Sequence, residues 1–153
     1  YMRDAGMKNF MVEIGGEVRT LGKNNKGSHW KIGIDKPMIG TVPGEEIYSV
    51  VSVSNQAMAT SGNYRNFQEY NNVKYSHIID PRTGQPTQSN ITSVTVIAPN
   101  CMDADALATA LNVMDVKEGK ALVESLDGIE AFWITKEKGH VRSVATSGMP
   151  IDN

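Results

Sequence analysis

The chain has 153 residues, of which 40% are hydrophobic and 21% charged, with a net charge of -2, values that suit one ordinary globular domain able to bury a core. That charge argues against nucleic acid as a partner, and the single cysteine, Cys101, rules out an intrachain disulfide. No window reaches the roughly 18 consecutive apolar residues of a spanning helix, so no membrane contact is expected of this segment itself.

Tyr1 to Phe10 reads as the last turn of a helix capped near Gly6 and followed by a strand, a start that suggests further chain upstream. Phe10 to Ile14 and Glu17 to Leu21 are apolar enough for strands, and the Gly15-Gly16 pair between them predicts a bulge or a ligand lying against backbone. After a polar turn at Lys23 to Ser28, His29 to Ile34 alternates like the return strand of a hairpin. Asp35 to Glu46 reads as a loop.

Ile47 to Ser54 and Gln56 to Gly62 are extended by pattern, and the small residues Ala59, Thr60, Ser61 and Gly62 leave room for a ligand to approach. Tyr64 to Asn72 predicts a turn and edge hairpin leading into a strand over Lys74 to Ile79. If that piece is extended, His77 and Ile79 share one face. Ile91 to Ala98 is the clearest strand. Pro99 stops it, and Asn100 with Asp103 forms a carboxylate variant of the capping box for a helix over Cys101 to Met114. A second helix over Lys117 to Leu126 is followed by a hairpin turning at Lys138-Gly139, and from Thr146 onward the pattern is that of a frayed tail. Hairpins with a few helices on one side indicate an α+β fold, an antiparallel sheet with packed helices.

Three groups could carry chemistry. Asp105 and Thr109 are four residues apart, so a carboxylate and a hydroxyl stack on one helical stripe, a donor pair that could hold a hard cation such as Mg2+ or serve only as a helix-dipole contact and a hydroxyl bonded back to a carbonyl. His77 is placed beside a Pro-Arg-Thr-Gly turn, where it could act as a general base or sit as a surface-strand histidine satisfied by backbone. Arg82 could clasp a phosphate or cap a loop, and Gly62 closes the small-residue run as a platform or a turn. No nucleophile elbow, phosphate-binding loop or dinucleotide fingerprint is present.

Four segments in order, Met11 to Arg19 (MVEIGGEVR), Ala59 to Tyr64 (ATSGNY), Tyr75 to Gly84 (YSHIIDPRTG) and Asp103 to Leu111 (DADALATAL), closely resemble the ApbE family of flavin transferases. The resemblance spans Met7 to Ile134 and implies a T-fold-like antiparallel α+β fold. It further implies transfer of FMN from FAD to a Thr or Ser hydroxyl of an acceptor flavoprotein subunit of a redox complex, with release of AMP. Under it, Asp105 and Thr109 match magnesium ligands, His77 the proposed base, and Ile79 a position touching FAD. Gly62 and Arg82 are taken as further FAD-binding candidates.

The resemblance reaches only the carboxy-terminal half of the family's domain. It thus implies that an amino-terminal half supplying much of the flavin pocket and one metal ligand is missing, so that residues 1–153 alone would be inactive. It also implies a membrane-anchored lipoprotein on the periplasmic side as the full-length form. FAD pyrophosphatase activity and a non-catalytic flavin-binding fragment are the alternatives.

Overall fold

The structure is a computed structural model that describes every residue except 39, 41, 43, 64–66, 71, 72 and 153, and only the backbone of 67–70, 73 and 74. Its central feature is a six-stranded antiparallel sheet of β1 (Phe10–Ile14), β2 (Glu17–Leu21), β5 (Ala57–Gly62), β10 (Ile91–Ala98), β11 (Glu130–Glu137) and β12 (His140–Ala145), in the order β1-β2-β5-β10-β11-β12. β3 (Trp30–Asp35) and β4 (Ile47–Val53) form a separate ribbon, and β6 (Phe67–Tyr70) with β7 (Val73–Ser76), and β8 (Ile79–Asp80) with β9 (Gln85–Pro86), form two short hairpins. Helices α1 (Cys101–Val113) and α2 (Val116–Glu124) connect β10 to β11. The α+β expectation holds.

Side-chain alternation along β10 explains the three layers. Val94, Val96 and Ala98 join Ala57 and Ala59 of β5 under Ala104, Ala108 and Leu111 of α1, while Ile97 joins Met58 beneath Val51 and Val53 of the ribbon. Its β-branched residues, Ile91, Val94, Val96 and Ile97 among threonines, are why this strand stood out in the sequence. Asn100 caps α1 as expected: its side chain accepts from the Asp103 N–H at 2.9 Å and donates to the Asp103 carboxylate at 2.7 Å.

Three local expectations are corrected. Gly15 and Gly16, with φ of 71° and 110°, form the two-residue turn of the β1–β2 hairpin, since Ile14 pairs directly with Glu17; they are not a bulge. The return strand predicted from His29 pairs with β4 rather than folding back on β2, whose other edge is taken by β5. Alternation specifies a strand but not its partner. The tail is not frayed: the backbone N–H of Thr146 donates to the Ala131 carbonyl at 3.0 Å, Met149 is buried in the ribbon-side core, and Ile151 bridges to Val51. Its few apolar residues lack periodicity, so only the groove receiving them shows they are anchored. Met149→Ala is expected to lower stability by about 2 to 4 kcal/mol through the cavity left behind, read from the urea midpoint.

The opening segment ends as expected. Met7 N–H bonds to the Met2 carbonyl and Gly6 N–H to the Arg3 carbonyl, with Gly6 at φ 80°, the paired bonds that close a helical turn through a left-handed glycine. Of the turn and hairpin predicted over 64–72, positions 64–66, 71 and 72 lie outside the described residues; the flanking strands pair as β6 and β7. The strand predicted through Ile79 ends at Ser76, and a bend at His77 leads into the β8–β9 hairpin.

Candidate functional site

The site is made by an interruption in the sheet. β2 pairs with β5 only at Val18–Met58 and Arg19–Ala57, so beyond Val18 the tip of the first hairpin parts from β5. Gly15 and Gly16 on one side and Thr60, Ser61 and Gly62 on the other line the cleft that results, whose volume is about 680 Å3. The ribbon adds Lys31, Ile32, Gly33 and Ile34, and α1 adds Asp105 and Thr109.

Local structure explains how each group arrives. Cys101 Sγ donates to the Val18 carbonyl at 3.7 Å, which sets the first turn of α1 against β2 at the point where pairing with β5 stops. One turn later Asp105 faces the opening, and Thr109 follows on the same stripe. This contact gives Cys101 a packing role. Arg19 braces the same corner, donating to the carbonyls of Asn55 at 3.0 Å and Pro99 at 2.9 Å; partial burial is the main cause that lowers its pKa, with the nearby Arg3 charge second.

His77, Gly62, Asp105 and Thr109 therefore share one cleft, although they lie on three separate elements and up to 47 residues apart in sequence. Ile79 and Arg82 are not in its lining. Ile79 is half exposed, whereas its neighbour Ile78 is buried and anchors the segment that carries His77. Arg82 is engaged elsewhere: Nε and Nη2 donate side-on to the Asp80 carboxylate at 3.0 and 2.8 Å, and Nη2 also donates to the Val113 carbonyl at 3.1 Å.

Arg82 holds the Asp80 carboxyl below its usual range, first through the side-chain hydrogen bonds and then through the Arg82 backbone N–H. A depressed carboxylate contributes stability above its unfolded value, near 3.8, and that contribution is lost as pH falls through the lower folded value. Asp80→Asn should therefore be less stable than the parent chain at neutral pH, and the difference should close as pH falls through the lowered folded value of Asp80, as followed by circular dichroism.

Two features of the site were missed in the sequence reading. Asn112 continues the stripe of Asp105 and Thr109 by three further residues; it is fully buried, donates to the Ser61 carbonyl at 3.2 Å, and leaves its own carbonyl oxygen without a partner. The spacing could have revealed it. The second feature is charge: among the described residues, Glu13, Asp35 and Asp105 line the cleft against a single lysine, Lys31, which is itself ion-paired with Asp152. Within that acidic lining, Asp105 and Thr109 are the carboxylate and hydroxyl that stack on one helical stripe. Among the described residues no cluster of three His, Cys, Asp or Glu could hold a metal by itself.

Comparison with known proteins bears on this arrangement. The model of the ApbE family matches residues 1–133. The chain is 42% identical to the FAD:protein FMN transferase of Vibrio cholerae over 147 residues, covering 96% of this chain and 43% of that protein. It is 38% identical to the enzyme of the same name from Escherichia coli over 136 residues, covering 89% and 38% respectively. Among solved structures, the flavin transferase ApbE from Vibrio cholerae superposes with a TM-score of 0.79 at 41% identity, covering 96% of this chain and 45% of that one. The apo flavinyl transferase ApbE from Pseudomonas stutzeri gives 0.77 at 34% identity, covering 95% and 44%. The chain thus spans less than half the length of the curated relatives it matches.

Proposed function

The chain belongs to the ApbE family, and from that premise we propose that it forms part of a magnesium-dependent enzyme moving FMN from FAD to a Thr or Ser hydroxyl of an acceptor flavoprotein subunit of a redox complex. The observation that carries this reading is the convergence of His77, Asp105 and Thr109 on one cleft. Relatives that match most of this chain bear the name FAD:protein FMN transferase. Placement on the periplasmic side belongs to the same proposal.

The donor chemistry suits magnesium. A carboxylate and a hydroxyl on successive helical turns offer two hard oxygens and leave the other positions of an octahedral ion for water and phosphate oxygens. The charge of the lining supports the same choice, because a diphosphate entering beside Glu13, Asp35 and Asp105 meets net repulsion unless a cation intervenes. Bound there, the ion would offset charge on the diphosphate oxygens and on the departing phosphate.

In the proposed step the acceptor hydroxyl oxygen attacks the FMN-side phosphorus. A new P–O bond forms, the P–O bond to the bridging oxygen breaks, and AMP leaves with that electron pair. The hydroxyl proton passes to the imidazole of His77, which removes the obstacle that a hydroxyl is a weak nucleophile near neutral pH. Thr60, Ser61 and Gly62 are small, so they give the diphosphate close approach to this wall.

The test incubates the protein with FAD, magnesium and an acceptor subunit, using residues 1–153 and, in parallel, a polypeptide as long as the relatives. Flavin fluorescence retained on the acceptor after denaturation, with AMP released in equal amount, is the result expected of the longer polypeptide, and no turnover is expected of residues 1–153 alone. Free FMN and AMP without labelling would identify a pyrophosphatase, and FAD binding without turnover a flavin-binding protein.

A further inference from the structure

We propose that Asp80 and Arg82 form a strut that sets the distance between the two catalytic walls, His77 on one and Asp105 with Thr109 on the other; the catalytic part of this inference rests on the function proposed above. Arg82 spans the two. Its guanidinium grips Asp80, three residues after His77, and the same Nη2 reaches the carbonyl of Val113, the last residue of α1.

The hairpin carrying Asp80 is closed on itself. Ile79 pairs with Pro86 and Asp80 with Gln85, Gly84 N–H bonds to the Asp80 carbonyl at 2.8 Å, and Thr87 N–H bonds to the Ile78 carbonyl at 2.9 Å. A movement of Asp80 is therefore passed to Ile78 and to the bend at His77. At the other end, α1 has no basic residue in its last turn, so the Arg82 cation supplies the favourable charge at the negative pole of the helix. The helix is continuous over the four to eight residues separating Val113 from Thr109 and Asp105.

The pair is poorly placed to serve mainly as a stability element. Arg82 is 62% exposed, and exposed ion pairs add little to stability because solvent screens them. Its geometry is nevertheless specific: Asp80 is only 15% exposed, it takes the guanidinium side-on, and it also accepts the Arg82 backbone N–H at 2.9 Å. Neither residue lines the cleft, which separates this role from direct binding of a phosphate. Asp80 and Arg82 are thus positioning residues.

The test has two arms. In residues 1–153, proton–nitrogen spectra of Asp80→Asn and Arg82→Gln should show the His77 imidazole and the amides of Ile78 and Met114 displaced in the same sense in both variants. The thermal midpoint should change by no more than a few degrees. In the longest polypeptide that turns over FAD, either variant and the double variant should lose a similar factor in kcat, about 10- to 100-fold, with the KM for FAD changed less than about twofold. Arg82→Lys should recover little, because an ammonium cannot reproduce the fork.

Unmoved His77 resonances would overturn the strut. So would a raised KM for FAD with kcat preserved in Arg82→Gln and no effect of Asp80→Asn, which would make Arg82 a phosphate ligand. Absence of turnover in the parent protein would fail the functional reading while leaving the spectroscopic arm to decide the geometry.

Discussion

Asp105→Ala is expected to lower magnesium-dependent FMN transfer by about 100-fold or more, and to weaken the magnesium dependence together with the rate. The reasoning rests on two facts about the cleft. Asp105 and Thr109 contribute the two hard donors on this face, so losing the carboxylate removes the anionic one. The remaining lining charges, Glu13 and Asp35 against Lys31, still repel a diphosphate, and Lys31 is engaged with Asp152. A magnesium titration of initial rates is the measurement. An unchanged half-saturating concentration would remove Asp105 from the metal site. Thr109→Val should produce a smaller loss, because a neutral donor is replaced and the charge remains.

His77→Ala is expected to reduce kcat by about 100- to 10,000-fold while leaving FAD affinity within about twofold. In the proposed mechanism the imidazole takes the proton of the attacking hydroxyl, a transfer that develops only in the transition state. Its removal should therefore cost rate rather than ground-state binding. Equilibrium titration of flavin fluorescence gives the affinity, and AMP release gives the rate. Partial recovery on adding imidazole would show that a missing base, not a collapsed loop, is responsible. A large loss of FAD affinity with kcat retained would instead make His77 a binding residue.

Under the proposed mechanism these two variants remove a metal ligand and the base, whereas Asp80→Asn and Arg82→Gln loosen the frame proposed to bring them together. The contrast gives a practical separation. Asp105→Ala alters the metal titration, His77→Ala alters rate with an intact metal titration, and the strut variants alter rate together with the resonances of His77.

How far the residues alone specify this protein differs from element to element. β10 and α1 were readable because each signal is local: β-branched residues ending at Pro99, then an Asn100 cap and apolar residues at helical spacing. The Asp105–Thr109 pair was visible for the same reason, since four-residue spacing fixes neighbours on a helix. The family was also legible, because its four motifs occur in order.

What the tertiary structure alone decided were matters of partnership. Alternation made a strand of Trp30–Asp35, but pairing with β4 instead of β2 depends on which edge is free. Gly15-Gly16 looked like an irregularity and became a hairpin turn at the mouth of a cleft, because β2 parts from β5 after Val18. Arg82 by residue type could clasp a phosphate or cap a loop, and the folded chain sets it on Asp80 and the end of α1. The sequence by itself determined the family, the α+β class and the chemical types at hand; only the folded chain set which of them share a cleft. Helical spacing and capping act within a few residues, whereas strand pairing and cleft formation join positions tens of residues apart, and no local pattern encodes that choice.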